Sequence, residues 1–213
     1  MSQADFGRAI LMFVAFLFSI CFHEFAHAWM AARRGDNTAK LMGRLTLNPV
    51  AHADILGTVI LPLLGLMGAT VFGWAKPVPV NPRNLARPRS DMFWIAAAGP
   101  GSNLILAFVG ALLVPLCLNL KIELAAVYVF LQGFISVNLA LCFFNLIPLH
   151  PLDGGKIAAR FMPEAWNQKL EELQNYSSIF LLVLFVSGAT SFLFYPVRIT
   201  YNFLIGMAEG LIL

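Results

Sequence analysis

Charge is scarce in this sequence. Asp, Glu, Lys and Arg make up only 12% of its 213 residues, and 59% are hydrophobic. A soluble domain carries about a quarter charged residues. The apolar excess is gathered in long runs, which excludes a water-soluble globule and points to a polytopic membrane protein. Cysteine is also scarce. Cys21, Cys117 and Cys142 each lie inside an apolar run, which excludes a disulfide framework and a cysteine zinc site. The net charge of +3 is small. The basic residues sit in short loops beside apolar runs, the pattern of topology signals and not of a nucleic-acid surface. There is no internal repeat and no low-complexity tract. No stretch is long and polar enough for a separate soluble module, so residues 1–213 read as a single integral-membrane domain.

The first apolar run predicts a helix from about Phe6 to Ala32, closed by Arg33-Arg34-Gly35. Arg8 before that run and Ala26-His27-Ala28 within it have the form of a cleaved leader. The run is too long for a leader, however, and cleavage would fall inside the motif described below. Residues 36–53 form a loop. Asp54 to Gly73 is apolar but broken by Gly57, Pro62, Gly65 and Gly68, so it either spans or folds back. If it spans, the 14 basic residues divide 8 to 6 across the membrane. If it is re-entrant, the loops at 33–53, 74–91 and 148–178 share a side and the division is 11 to 3. The second pattern obeys the positive-inside rule far better, and re-entrance is favoured.

Trp74 to Val80 is too rich in proline for helix and predicts extended backbone, an edge strand. A second long helix begins near Met92, carries the small-residue run Ala96-Ala97-Ala98-Gly99-Pro100-Gly101-Ser102 with a kink expected at Pro100, and ends near Asn119. A third spans about Leu124 to Ile147. Residues 156–175 predict an amphipathic segment. A last span begins near Ser178 and is interrupted at Tyr195-Pro196, leaving a short final helix from Ile199 to Leu213. The expected fold is an all-α polytopic membrane protein. It has five to six transmembrane or re-entrant helices and a small membrane-associated β element.

The chemistry lies in the first helix, at His23-Glu24-Phe25-Ala26-His27. Imidazoles four residues apart share a helix face and can grip one metal ion. Glu24 between them is placed to take the proton of an attacking water. An ionisable residue at the centre of a membrane helix costs about 2.5–3.5 kcal/mol on insertion scales, so its presence is a functional signal. At 1.5 Å per residue, His27 lies about 9 Å and His23 about 15 Å inside the basic boundary. A catalytic zinc takes three protein ligands and keeps one position open. Among the acids at the edges of membrane runs, Asp153 stands apart, since it follows a helix broken by Pro148 and Pro151 and precedes Gly154-Gly155. It is the expected third ligand, with Asp54 in reserve. Asn145 is a candidate donor to a developing oxyanion or to substrate backbone. His52 and His150 read as loop or supporting histidines.

These residues resemble the site-2 protease family of intramembrane zinc metalloproteases. The resemblance rests on His23-Glu24-Phe25-Ala26-His27, on Phe144-Asn145-Leu146-Ile147-Pro148 leading to Leu152-Asp153-Gly154-Gly155, and more weakly on Ala97-Ala98-Gly99-Pro100. The stretches Asn48-Pro49, His52, Asp54, Gly57-Thr58 and Gly73-Trp74-Ala75-Lys76-Pro77-Val78-Pro79-Val80 are similar to the short bacterial or archaeal subgroup. The resemblance implies one Zn2+ held by His23, His27 and Asp153, and cleavage within a transmembrane segment of a substrate protein. It also implies a multi-pass protein of the cell membrane whose active site opens toward the cytoplasm, with a β element near the cleft. The PDZ domain or CBS pair of many relatives fits nowhere in this sequence. The rival reading is a non-proteolytic metal-binding membrane protein, a transporter or pseudoprotease. Glu24 speaks against it, because transport needs ligands but no base beside them. The partners expected are the lipid bilayer and a transmembrane substrate, without nucleic acid. Nothing in the sequence signals an oligomeric state.

Overall fold

The computed structural model describes residues 3–61, 73–120, 125–172 and 191–212, with 176, 183 and 187 as isolated positions. Three described helices are long and apolar enough to cross a membrane, within Phe6–Arg33, Pro88–Asn119 and Ala125–Asn145. The elements in chain order are α1 (Gln3–Arg33), α2 (Thr38–Leu41), α3 (Pro49–His52), a π-helical turn (Ile55–Ile60) and a 3₁₀ turn (Pro82–Asn84). They are followed by α4 (Pro88–Asn119), α5 (Ala125–Asn145), α6 (Asp153–Ala159), α7 (Glu164–Glu172) and α8 (Ser191–Ile212). Helices α1, α4 and α5 pack against one another, and α8 lies on α4 and α5. The shared core there is Ala107, Ala111, Ile135, Leu139, Leu204 and Ala208. Its alanines let the helix backbones approach closely, which is how helices associate in lipid.

Helix α4 starts four residues earlier than its apolar pattern suggests. Pro88 stands in its first turn, where no N–H is needed. The Asp91 carboxylate accepts the Arg87 N–H at 2.8 Å, closing the helix start. The helix then continues through Pro100 and Pro115. Likewise α8 runs unbroken through Pro196, so the expected interruption at Tyr195-Pro196 does not occur. The start of that last span, near Ser178, lies outside the described residues. The expected amphipathic stretch 156–175 is, as far as residue 172, two pieces, α6 and α7, split at residues 160–163, and residues 173–175 lie outside the described residues.

The C-terminal end of α1 meets the N-terminal end of α4. Ala31, Leu85 and Ile95 form one buried cluster. Arg34 reaches Asp91 at 3.5 Å and lies over the Trp94 ring. Residues 62–72, the middle of the Asp54–Gly73 stretch, lie outside the described residues. The flanks of that stretch are bonded to each other, however. The Trp74 N–H donates to the Gly57 carbonyl at 3.1 Å, and the Thr58 hydroxyl donates to the Trp74 carbonyl at 2.7 Å.

Residues 73–81 have no regular structure, and no strand occurs among the described residues. The expected edge strand at 74–80 is replaced by a strap. The amides of Trp74, Lys76 and Val78 go to three different acceptors, the Gly57 carbonyl, the His52 carbonyl and the Glu24 carboxylate. Pro77 and Pro79 have no N–H to offer, so no continuous ladder forms.

Asp36 staples the strap to the end of α1. Its fully buried carboxylate accepts from the Thr38 N–H and hydroxyl, from the Asn81 N–H at 2.7 Å and from the Asn84 amide at 2.8 Å. Burial raises its pKa, but these hydrogen bonds outweigh burial and hold it below the usual carboxylate range. A depressed folded pKa gives stability that is present above the unfolded value and lost as pH falls through the folded one. Asp36→Ala is expected to cost about 2–4 kcal/mol by leaving several donors unpaired. Thermal unfolding in detergent checks this. The wild-type advantage over the variant should be full above about pH 4 and shrink below it.

Candidate active site

Helix α1 presents His23, Glu24 and His27 on its buried face, at 5%, 9% and 8% exposure. The two imidazoles stand one turn apart with ring planes at 85°. Each turns its Nδ1 away to an oxygen. His23 Nδ1 lies 2.6 Å from Asn103 Oδ1, and His27 Nδ1 lies 2.7 Å from the Ile95 carbonyl. A carbonyl oxygen only accepts, so Nδ1 carries the hydrogen and Nε2 keeps its lone pair. The two Nε2 atoms are 3.0 Å apart.

Asp153 closes the triangle. Helix α5 ends at Asn145 and the chain turns through residues 146–152 before α6 starts at Asp153. The turn folds under the helix because residues 154 and 155 are glycine. A Cβ on Gly154 would meet the Ile147 carbonyl oxygen at 2.2 Å, and one on Gly155 would meet the His150 amide nitrogen at 2.8 Å. The far end of α6 is clamped to α4 by Arg89, whose guanidinium donates to the carbonyls of Ala159 and Met162. Asp153 Oδ2 consequently lies 3.2 Å from both histidine Nε2 atoms. It is buried and, among the described residues, accepts no hydrogen bond.

Three such atoms facing one another in a buried space could hold a cation between them. Donors about 2.0–2.2 Å from a tetrahedral zinc are about 3.3–3.6 Å apart. The observed 3.0, 3.2 and 3.2 Å match one face of such a tetrahedron to within a few tenths of an ångström. Two imidazoles and a carboxylate suit zinc. His23, His27 and Asp153 are the one such group of His, Cys, Asp and Glu among the described residues. They open onto a cavity of about 320 Å³ lined also by Glu24, Trp74, Val78, Phe144, Asn145 and Lys156.

The sequence pattern of Peptidase family M50 matches residues 11–121 and 119–186. The chain belongs to peptidase family M50. A Bacillus subtilis protein named "Putative zinc metalloprotease YwhC" is 40% identical over 188 residues, covering 86% of this chain and 83% of the relative. Proteins named "Putative zinc metalloprotease Rip2" are 30% identical in Mycolicibacterium smegmatis, over 86% of this chain and 69% of the relative, and 29% identical in Mycobacterium tuberculosis, over 90% and 72%. No solved structure matches the chain. As an M50 member the chain is a zinc metalloprotease of the site-2 type, with zinc as its cofactor.

Of the residues singled out in sequence, the M50 chain brings His23, His27 and Asp153 together and sets Glu24 and Asn145 on the same cavity wall. The Val78 N–H holds Glu24 Oε2 at 3.0 Å. Asn145 donates its amide to the Leu141 carbonyl of its own helix at 2.9 Å. Asp54 is not in the group. It accepts the Gly57 N–H at 2.8 Å and caps the π-helical turn. His52 is buried and bonded through Nε2 to the Thr46 carbonyl, and it too is outside the group, as is His150.

Asn103, Asn138, Ser19 and Gly99 were missed as site residues. The rule that flags a polar residue inside an apolar run applies to both asparagines, so a signal was present. Gly99, within the run of small residues in α4, makes room for the imidazoles. A Cβ there would lie 2.4 Å from His27 Nε2 and 2.6 Å from His23 Cε1. Gly99→Ala favours helix by about 1 kcal/mol yet pushes both rings. Purified Gly99→Ala is expected to keep its helical circular dichroism and to lose most of its bound zinc, measured as metal per chain.

Proposed function

We propose that the chain hydrolyses a peptide bond within a transmembrane segment of a substrate protein, with His23, His27 and Asp153 holding the zinc and Glu24 acting as the base. The observation that carries the reading is the buried triangle of acceptor atoms with a carboxylate beside it, inside a bundle of membrane-length helices. Bound zinc supplies Lewis acidity, polarising the scissile carbonyl and acidifying the attacking water. Glu24 takes the proton of that water and returns it to the leaving amine. The Val78 N–H fixes one oxygen of that carboxylate, so the base does not swing away from the cavity. Asn145 turns from its intrahelical bond to donate to substrate backbone or to the developing oxyanion.

The substrate helix unwinds to reach the site, since a helical peptide bond is shielded by its own hydrogen bonds. The strap at 74–80 is where the unwound segment lies alongside as an added strand. The inward amides of Trp74, Lys76 and Val78 are already engaged, so pairing would use the strap's remaining carbonyls and the Ala75 and Val80 amides. The whole chain acts as one membrane domain. The metal opens toward the cytoplasm, as the 11 to 3 division of basic residues supports.

Glu24→Gln is expected to retain zinc and to lower cleavage of a model transmembrane substrate by about 10²–10⁴-fold; full cleavage would exclude Glu24 as the base. Asp153→Ala is expected to lose both zinc and cleavage. For the orientation, a cysteine replacing Lys40 should react with a membrane-impermeant maleimide only after the cytoplasmic face is opened.

A further inference from the structure

His23 lies between its metal-facing nitrogen and a chain of buried amides that runs across three helices. The chain can be followed from its far end, where every partner is unambiguous. The Ser19 hydroxyl donates to the Ala15 carbonyl at 2.7 Å, so Ser19 Oγ is left as an acceptor. The Asn138 amide nitrogen donates to Ser19 Oγ at 2.8 Å and to the Phe134 carbonyl at 2.8 Å. A carbonyl cannot donate, so the NH₂ end of Asn138 is fixed toward it and Asn138 Oδ1 must face the other way. That oxygen accepts from the Asn103 amide nitrogen at 2.9 Å, and the Ser19 carbonyl accepts from the same nitrogen at 3.2 Å. Asn103 Oδ1 is thereby turned to His23 Nδ1 at 2.6 Å. Ser19, Asn103 and Asn138 are all fully buried.

We propose that Asn138, supported by Ser19, is a positioning residue that sets the tautomer of His23 through Asn103. An asparagine amide presents either an oxygen or an NH₂, and nothing in its own shape chooses between them. A flipped Asn103 would offer its NH₂ to His23 Nδ1, which would then accept and leave the hydrogen on Nε2. A protonated Nε2 has no lone pair for a metal. Asn138 Oδ1 and the Ser19 carbonyl together disfavour that alternative, because the flip would set Asn103 Oδ1 against both oxygens. Helix α5 thus governs the coordinating atom on α1 although Asn138 touches neither histidine nor substrate. The proposal rests on the metal-site reading above.

The test reads the tautomer directly in zinc-free protein, by ¹⁵N NMR of labelled histidine with the His23 signal assigned from His23→Gln. Wild type is expected to show the Nδ1–H form. Asn138→Leu, which removes the nearer of the two acceptors that hold the Asn103 amide, is expected to show a mixture and to bind zinc about 10-fold more weakly, the lower end of the cost of losing a partner that orients a metal-ligating histidine. Asn138→Asp keeps an acceptor toward Asn103 in either protonation state and should restore the wild-type tautomer and affinity to within a few-fold. Should Asn138→Leu fail to fold, Asn138→Ala puts the same question without the added bulk. An unchanged tautomer and zinc affinity in the folded leucine or alanine variant would overturn the proposal. Absence of zinc binding by wild type would instead overturn the metal-site reading.

Discussion

Two imidazole nitrogens and a carboxylate oxygen are held within 3.2 Å of one another inside an apolar helix bundle. Unpaired, they would repel, and their burial makes that costly. A shared cation would convert that repulsion into binding. The rest of the structure serves this constraint. Gly99 leaves room for the rings, Gly154 and Gly155 let the turn after α5 fold under α6, and Arg89 ties α6 to α4. Gly99 accommodates both imidazoles and the other two devices set Asp153, and a shift of an ångström in any of them would open the triangle.

The polar groups deep in the bundle follow the same logic. Ser19, Asn103 and Asn138 would each destabilise the apolar interior if left alone, but together they satisfy one another and end on backbone carbonyls. A network of this kind joins α1, α4 and α5 by directional bonds, whereas alanine packing would allow the helices to slide. Register between the helices and orientation of His23 are therefore one property. The strap provides a second tie at the mouth of the site, because Asp36 holds its end and Glu24 holds its middle.

Much of the site was legible in sequence. His23, Glu24 and His27 are linked by a local period, which needs only the helix that their apolar surroundings predict. Asp153 was legible because two prolines break a membrane helix just before it. The errors were also local. Pro88 was read as part of a loop, but proline is at home in a first helical turn. Pro196 was read as an interruption, but α8 carries on through it. The strap looked like a strand because its residues favour extended backbone. A strand, however, is defined by its partners, and the strap's amides are divided among Gly57, His52 and Glu24.

The sequence by itself determined the membrane class and the face of the first helix that carries His23 and His27. These depend on composition and on contacts a few residues apart. Only the tertiary structure decided that Asp153, and not Asp54, completes the triangle, that Gly99 is space for imidazoles, and that Asn103 and Asn138 stand behind His23. The physical reason is separation along the chain. His23 and Asn103 are 80 residues apart, and Ser19 and Asn138 are 119 apart. A residue's type shows that it needs a partner, but which partner it meets depends on how the helices pack.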